Sequence, residues 1–327
     1  MERPIRWGIL GTGAIARKFA ADLLRLPGAE LAAVGSRTTE AAERFGAEFA
    51  IPRRHGSYAG LAADPEVDVV YVATTNQLHR EEALLCLDHG KAVLCEKPFA
   101  LNLAEAEAMA ARARHRGLFL MEAMWTRFFP AIGRLEELLQ EGAIGELRQL
   151  DARFGFRAPA EPHGRLFDPA LGGGALLDVG VYPVALAQLL FGREPARIAA
   201  LAHHGPTGVD EQAGILCLYD RGELATLACA IRTQARNEAA LYGTSGMIRL
   251  PDPFWRPERL ILARDGQEHS FEFPTAAARG GHGYGYEAAE VMRCLREGRR
   301  ESPRYPLATT LAVMRTLDRI RECWNPA

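Results

Sequence analysis

Residues 5–16, IRWGILGTGAIA, constrain this chain more than any other stretch: a short apolar run feeds a glycine-spaced turn, and an amphipathic segment follows to about Leu26. Glycines spaced in this way allow a tight turn and leave backbone N–H groups bare at the start of a helix, an arrangement suited to a pyrophosphate. The same grammar then repeats. Strands are expected at ELAAVGS (30–36), VDVVYVA (67–73), KAVLCE (91–96) and LFLMEA (118–123), with helices at about 39–45, at 79–90 and at 101–117, the last opened by Asn102 and closed by Gly117. Regular alternation of strand and helix predicts a parallel sheet with right-handed crossovers and helices on both faces.

After Met124 the pattern changes. A helix near 130–141, a strand at 146–157 and a Pro- and Gly-rich loop to Gly174 lead into an apolar helix, ALLDVGVYPVALAQLLFG (175–192). Strand-like segments follow at 196–204, 211–219, 223–233, 238–243 and 258–273, with closing helices at about 284–297 and 307–322. The fold class is therefore α/β. A Rossmann-type doubly wound sheet over residues 1–123 binds a dinucleotide, and an α+β domain with a large, mainly antiparallel sheet over 124–327 carries substrate binding and dimerisation. The length of 327 residues suits two cores, and 48% hydrophobic residues supply them.

Charge and cysteines narrow the setting. A net charge of -2 provides no field for nucleic acid or an anionic membrane, so neither partner is expected. The N-terminus has no secretory pattern, and no stretch reaches about eighteen uninterrupted apolar residues. The six cysteines lack CxxC or Cys/His ligand spacing, which predicts no metal site and reduced thiols in a cytoplasm.

Gly11, Thr12, Gly13, Ala14 and Ile15 form the dinucleotide turn, with Ala16 as the third small residue. The end of the second strand selects the cofactor. An acid there would bind ribose hydroxyls; this chain has Ser36-Arg37-Thr38, with a guanidinium to grip a 2′-phosphate, so NADP is expected. Thr74 and Asn76 follow the strand at 67–73, at the carboxyl edge where ligands gather, and Asn76 is placed for the nicotinamide ribose. His79 joins that edge, although its position suits the start of a helix better than chemistry. Glu96 and Lys97 complete the cofactor edge on the next strand.

Pro98 supplies no backbone donor and forces Lys97 out of helical geometry, so the strand stops there and the amine is delivered to the same edge. A lysine at a strand end ordinarily snorkels to solvent. Asp178 and Tyr182, however, lie four residues apart in an apolar helix, on one face, where an acid and a phenol need partners. An ammonium about 4 Å from a phenol, at an effective dielectric near 20, is worth roughly 4 kcal/mol, drawing tyrosine from about 10 towards neutrality before Asp178 cancels part of it. Lys97, Tyr182 and Asp178 are the expected catalytic set. Tyr182 takes or returns a hydroxyl proton while a hydride passes between a carbinol carbon and nicotinamide.

GTGAIA, Glu96-Lys97-Pro98 and GGGALLDVGVY (172–182) together resemble the glucose-fructose oxidoreductase and inositol dehydrogenase family (Gfo/Idh/MocA) over nearly the whole chain. MEAMWTRFFP (121–130) is similar to the branch holding dihydrodiol dehydrogenases and NADP-linked D-xylose dehydrogenases. The resemblance implies a catalytic Lys97, a cis peptide before Pro98, and Tyr182 where many relatives have histidine. The family's usual Thr-Pro-Asn loop reads Thr74-Thr75-Asn76 here.

Trp125, Phe154, Phe156 and Trp255 are candidates to wall a pocket for a ring or sugar face, and Arg127, Arg157, His163 and His282 to bond its hydroxyls. The resemblance favours Trp125, Phe154 and Trp255. The expected substrate is a sugar or a vicinal diol, as for D-xylose 1-dehydrogenase or trans-1,2-dihydrobenzene-1,2-diol dehydrogenase. In 211–219 and 223–233 both alternating faces are largely apolar and rich in small residues (Ala213, Gly214, Ala225, Ala228, Ala230), so one face is left for a partner, and a homodimer through this sheet is expected. Two rivals remain: a non-catalytic NADP-binding sensor, and a nicotinamide-dependent glycoside hydrolase.

Overall fold

The structure, a computed structural model, describes residues 3–274 and 281–324. In chain order its elements are β1 (Ile5–Leu10), α1 (Ala14–Leu23), β2 (Ala29–Gly35), α2 (Thr39–Glu48), β3 (Arg53–His55), α3 (Tyr58–Ala62), β4 (Val69–Val72), α4 (His79–Asp88), β5 (Ala92–Glu96), α5 (Leu103–Arg116), β6 (Leu120–Ala123) and α6 (Pro130–Gln140). They continue with β7 (Leu147–Gly155), α7 (Val181–Phe191), β8 (Arg197–His204), β9 (Asp210–Leu218), β10 (Leu224–Ala230), β11 (Ala239–Gly243), β12 (Met247–Leu250), β13 (Arg259–Arg264), β14 (Gln267–Glu272), α8 (Gly285–Arg296) and α9 (Leu307–Glu322). Backbone contacts group the described residues up to Trp125 with 281–310, and residues 126–274 with 311–324.

The first unit is built on a six-stranded parallel sheet in the order β3-β2-β1-β4-β5-β6. Its central strands are buried on both faces, as their unbroken apolar runs require, β4 along its whole length. Trp7, Phe19 and Tyr71 form an aromatic core, with ring centroids 5.4 Å apart for Trp7 and Phe19 and 3.8 Å for Phe19 and Tyr71. Each such burial contributes roughly 1.5–3 kcal/mol. α8 belongs to this unit because α1 caps it: the carboxylate of Asp22 accepts from the backbone N–H groups of His282 (2.7 Å), Gly283 (2.8 Å) and Tyr284 (2.8 Å), at a helix start that has no side-chain cap of its own.

The second unit holds an eight-stranded sheet in the order β14-β13-β12-β11-β7-β10-β9-β8, antiparallel except where β7 pairs with β10. The chain is therefore α/β with the two sheet types expected. The single segment anticipated at 258–273 is a hairpin, β13–β14, because Asp265 (φ 53) and Gly266 (φ 73) take the left-handed turn that joins antiparallel strands. The helix anticipated at 175–192 is also divided. Pro183 has no N–H, and its ring excludes the carbonyl four residues earlier, so Leu176–Gly180 widens into a π-turn before α7 begins. Pro169–Phe191 is long and apolar enough to cross a membrane by length and composition, but 83% of its apolar window is buried inside the protein, as in a core helix.

Candidate active site

β1 and β4 are sheet neighbours although residues 11–68 lie between them in the chain, so a crevice opens between their carboxyl ends. Gly11 turns the chain there with φ +106, and a Cβ on it would stand 2.6 Å from Ala73 O. Gly13 is the N-cap of α1: no side chain caps the helix, and nothing lies within 4 Å of where a Cβ would be. Open space over the uncapped N–H groups of the turn that carries Ala14 and Ile15 is the cradle a pyrophosphate needs. Behind it, Ala16 packs fully buried.

At the end of β2, Thr12 Oγ1 and Ser36 Oγ lie 3.5 Å apart. Thr38 Oγ1 accepts from Ala41 N at 3.3 Å and so is spent on capping α2, while Arg37 is exposed and makes no ion pair among the described residues. A guanidinium not neutralised by protein is what a 2′-phosphate requires. Beyond β4, Thr74 Oγ1 and Gln77 Oε1 are buried with no hydrogen-bond partner among the described residues, and Asn76 opens a short 3₁₀ turn. Buried orphan oxygens beside an open phosphate cradle fit a dinucleotide that supplies their partners.

His79 begins α4, as its position suggested, and is 1% exposed. Nδ1 lies 2.8 Å from Pro98 O and Nε2 3.3 Å from Thr74 O. Burial pushes its pKa down to about 4, so the ring is neutral at pH 7, and the shorter contact assigns the proton to Nδ1. On the next strand Glu96 is buried and turned inward. It accepts from the hydroxyl of Tyr71 and, at 3.1 Å, from Lys97 N, which fixes the backbone that presents Lys97. The Lys97–Pro98 peptide is cis. Trp125 stacks on Tyr284 with centroids 4.3 Å apart and planes 13° from parallel.

In the second unit, Phe154 on β7 and Trp255 in the loop before β13 stack at 3.6 Å and 7°, and Tyr182 on α7 lies with its ring 5.4 Å from Phe154 and 6.5 Å from Trp255. Thr126 Oγ1 donates to Trp255 O at 2.5 Å, holding that loop. Phe156 meets Phe154 edge-on at 6.4 Å. Asp178, in the π-turn, is 5% exposed and accepts from Arg165 Nη1 at 2.8 Å. Three of the anticipated residues, Phe154, Tyr182 and Trp255, thus share one aromatic cluster. Others are engaged differently: Arg127 pairs with Glu136 at 2.8 Å, the backbone N–H of His282 is held by Asp22, and Arg157 bridges Arg232 across an isolated β-pair. Lys97 belongs to the first unit and Tyr182 to the second.

Two domain families match this chain: "Oxidoreductase family, NAD-binding Rossmann fold" over residues 5–124, and the "GFO/IDH/MocA C-terminal domain" over residues 132–249. The trans-1,2-dihydrobenzene-1,2-diol dehydrogenase of Bos taurus is 40% identical over 326 residues, covering 97% of this chain and 96% of that one. The chain belongs to the Gfo/Idh/MocA oxidoreductase family. The Homo sapiens enzyme of the same name is also 40% identical, over 325 residues, with the same coverage. Among solved structures, a 3-ketoreductase from Actinomadura kijaniata in complex with NADP and TDP-benzene is similar, with a TM-score of 0.89, 29% identity and 98% coverage of both chains. An aldose-aldose oxidoreductase from Caulobacter crescentus complexed with glycerol has a TM-score of 0.89 and 26% identity, covering 98% of this chain and 97% of that one.

For this Gfo/Idh/MocA member, the sequence reading missed the residues that hold others in place. Tyr71 was read only as part of a buried strand, yet its hydroxyl reaches Glu96; a tyrosine within an otherwise aliphatic run was the available signal. Arg165 lies in a loop whose composition says nothing about its partner. Gln77, one of the two orphaned oxygens, follows Asn76 directly and was passed over.

Proposed function

We propose that this oxidoreductase moves a hydride between NADP and a carbinol carbon of a sugar or vicinal diol, with Tyr182 as the acid/base and Lys97 and Asp178 as its partners. One observation carries the reading: Tyr182, in a turn-and-helix segment that also bears the buried Asp178, stands against the stacked pair Phe154–Trp255, a flat apolar wall suited to the face of a ring. The 40% identity to dihydrodiol dehydrogenases over nearly the full length supports the same substrate class.

Bound NADP supplies the two-electron step, taking or giving the hydride at nicotinamide. The chain's own groups do the rest. The turn at Gly11–Ile15 binds the pyrophosphate, Ser36, Arg37 and Thr38 the adenosine end, and Thr74, Asn76, His79 and Glu96 form or brace the nicotinamide edge. In the oxidative direction Tyr182 accepts the hydroxyl proton as the carbinol becomes a carbonyl; in the reductive direction it returns that proton to the new alkoxide. Lys97 and Asp178, the latter paired with Arg165, complete the proposed proton-transfer set. Trp125 and Arg127 complete the proposed substrate set.

The assembly reading rests on the outer face of the second sheet. Leu201 (82% exposed), Leu216 (46%) and Leu224 (37%) lie there, while Ala213, Ala225 and Cys229 of the same strands are buried on the inner face. Leu201, Gly214, Ala228 and Arg153 form one row across four strands and line a concavity of about 470 Å³. A second copy covering this face gives a homodimer, and Leu201→Asp is expected to yield a monomer by light scattering. The six cysteines are all unpaired, which suits a reducing cytoplasm.

The functional test is a panel of D-xylose, D-glucose and benzene dihydrodiol followed at the NADPH absorbance, with Lys97→Met and Tyr182→Phe as controls. Turnover that both variants abolish is expected. Cofactor binding without turnover on any member would overturn the reading.

A further inference from the structure

The glycine run at 172–174 ends in a residue whose role the reaction does not explain. Gly174 has φ +122, and a Cβ on it would overlap Asp210 Oδ1. Asp210, at the start of β9, is 8% exposed, and its Oδ2 accepts from Leu176 N at 2.6 Å. The missing Cβ therefore admits a carboxylate to the first N–H of the segment that carries Asp178 and Tyr182. The same segment is held at two further points. Asp178 N donates to Gly174 O at 3.2 Å, and a Cβ on Gly180 would stand 3.0 Å from Cys229 Sγ, on the strand beside β9.

A π-turn is a poor self-supporting structure, and here it has no side-chain cap of its own. The chain between the clamp at Leu176 and the proline at 183 can place Asp178 and Tyr182 in one register only while its first N–H stays fixed. An ionised carboxylate is the strongest ordinary acceptor for that purpose, and it also complements the positive end of the helical segment. Asp210 reaches the segment through the backbone N–H of Leu176.

We infer that Asp210 is a positioning residue, which fixes the N-terminal end of the 176–191 segment and thereby the register in which Asp178 and Tyr182 are presented. The inference rests on the reading of Tyr182 as the proton-transfer group, and the test separates the two. In the full-length enzyme, Asp210→Ala is expected to lower kcat about tenfold, because small displacements of a reacting group are costly, while KM and Kd for NADP stay within about twofold. Asp210→Asn keeps an oxygen acceptor for Leu176 N and is expected to recover part of the loss; should Asp210→Ala be insoluble, this isosteric variant carries the test. Hydrogen exchange followed by mass spectrometry is expected to show faster uptake in peptides spanning 174–182, with the first unit unchanged. Turnover within twofold of the wild type in both variants, or equal losses in kcat and in NADP affinity, would overturn the inference. A fully active Tyr182→Phe would instead remove its premise.

Discussion

Two glycine-rich turns in this chain each deliver a loop into a helix, and they treat the helix start in opposite ways. At Gly11–Ala16 open space lies over Gly13 at an uncapped helix start, and the guanidinium of Arg37, just beyond β2, makes no ion pair among the described residues. At Gly172–Leu176 the corresponding space is filled by Asp210. The first start is available to a ligand's negative charge; the second has been given one by the protein. Similar local sequence thus leaves one helix start open and the other closed, and the deciding factor is whether a carboxylate from a distant strand reaches the N–H groups.

The largest expected effect lies in the mounted segment. Tyr182→Phe removes only a hydroxyl and is expected to lower kcat roughly 10²–10⁴-fold, with Lys97→Met similar, measured with saturating NADP. The comparison itself is best attacked by converting the open start into a closed one. Gly13→Asp fits the empty space and places a carboxylate where the pyrophosphate belongs; NADP affinity is expected to fall by about a hundredfold while the melting temperature holds or rises. An unchanged Kd would show that the turn is not the phosphate site. Arg37→Ser should cut the preference for NADP over NAD about ten- to thirtyfold, through the loss of one charge-assisted contact, with the NAD value little changed.

Smaller effects are expected at starts that are already closed. Asp22→Asn weakens the cap on α8 and is expected to cost about 1–3 kcal/mol in a urea titration without altering cofactor Kd. Asp210 offers the smallest and the most diagnostic in sign. Burial pushes its pKa up to about 6 from 3.8, against the pull of the Leu176 N–H, with His204, Arg321 and Cys229 the other titratable groups around it. A folded pKa above the unfolded one means that protonation stabilises, fully so below the unfolded value, and that this gain is lost as pH rises through about 6. Between pH 7 and pH 5 the wild type should gain about 1 kcal/mol relative to Asp210→Asn. A difference that stays flat across that range would show that the carboxyl is not buried as described.

The first unit was legible because its function resides in backbone geometry, and backbone geometry leaves spacing in the sequence. Strand order, the Gly11 turn, the Asn102 and Gly117 boundaries of α5 and the delivery of Lys97 to a strand end all follow from local rules. The second unit was legible in outline only. Asp178 and Tyr182 stood out as polar residues in an apolar helix, but the π-turn that carries Asp178 has its first N–H bonded to Asp210, and no window of sequence contains both the turn and that carboxylate. Arg165 meeting Asp178 and Tyr71 meeting Glu96 are likewise products of topology. The Asp265-Gly266 turn, by contrast, was written in the letters and overlooked.

The imidazole of His79 sits with one ring nitrogen against the loop leaving β4 and the other against the loop leaving β5. Those two loops carry Thr74 and Asn76 on one side and Lys97 on the other, so a single rigid ring joins the span proposed for the nicotinamide edge to the span that carries the proposed catalytic lysine. Substitutions at residues 74–76 are therefore expected to register at the loop that carries Lys97 as well, and the two loops should drift together under laboratory evolution unless position 79 is varied with them.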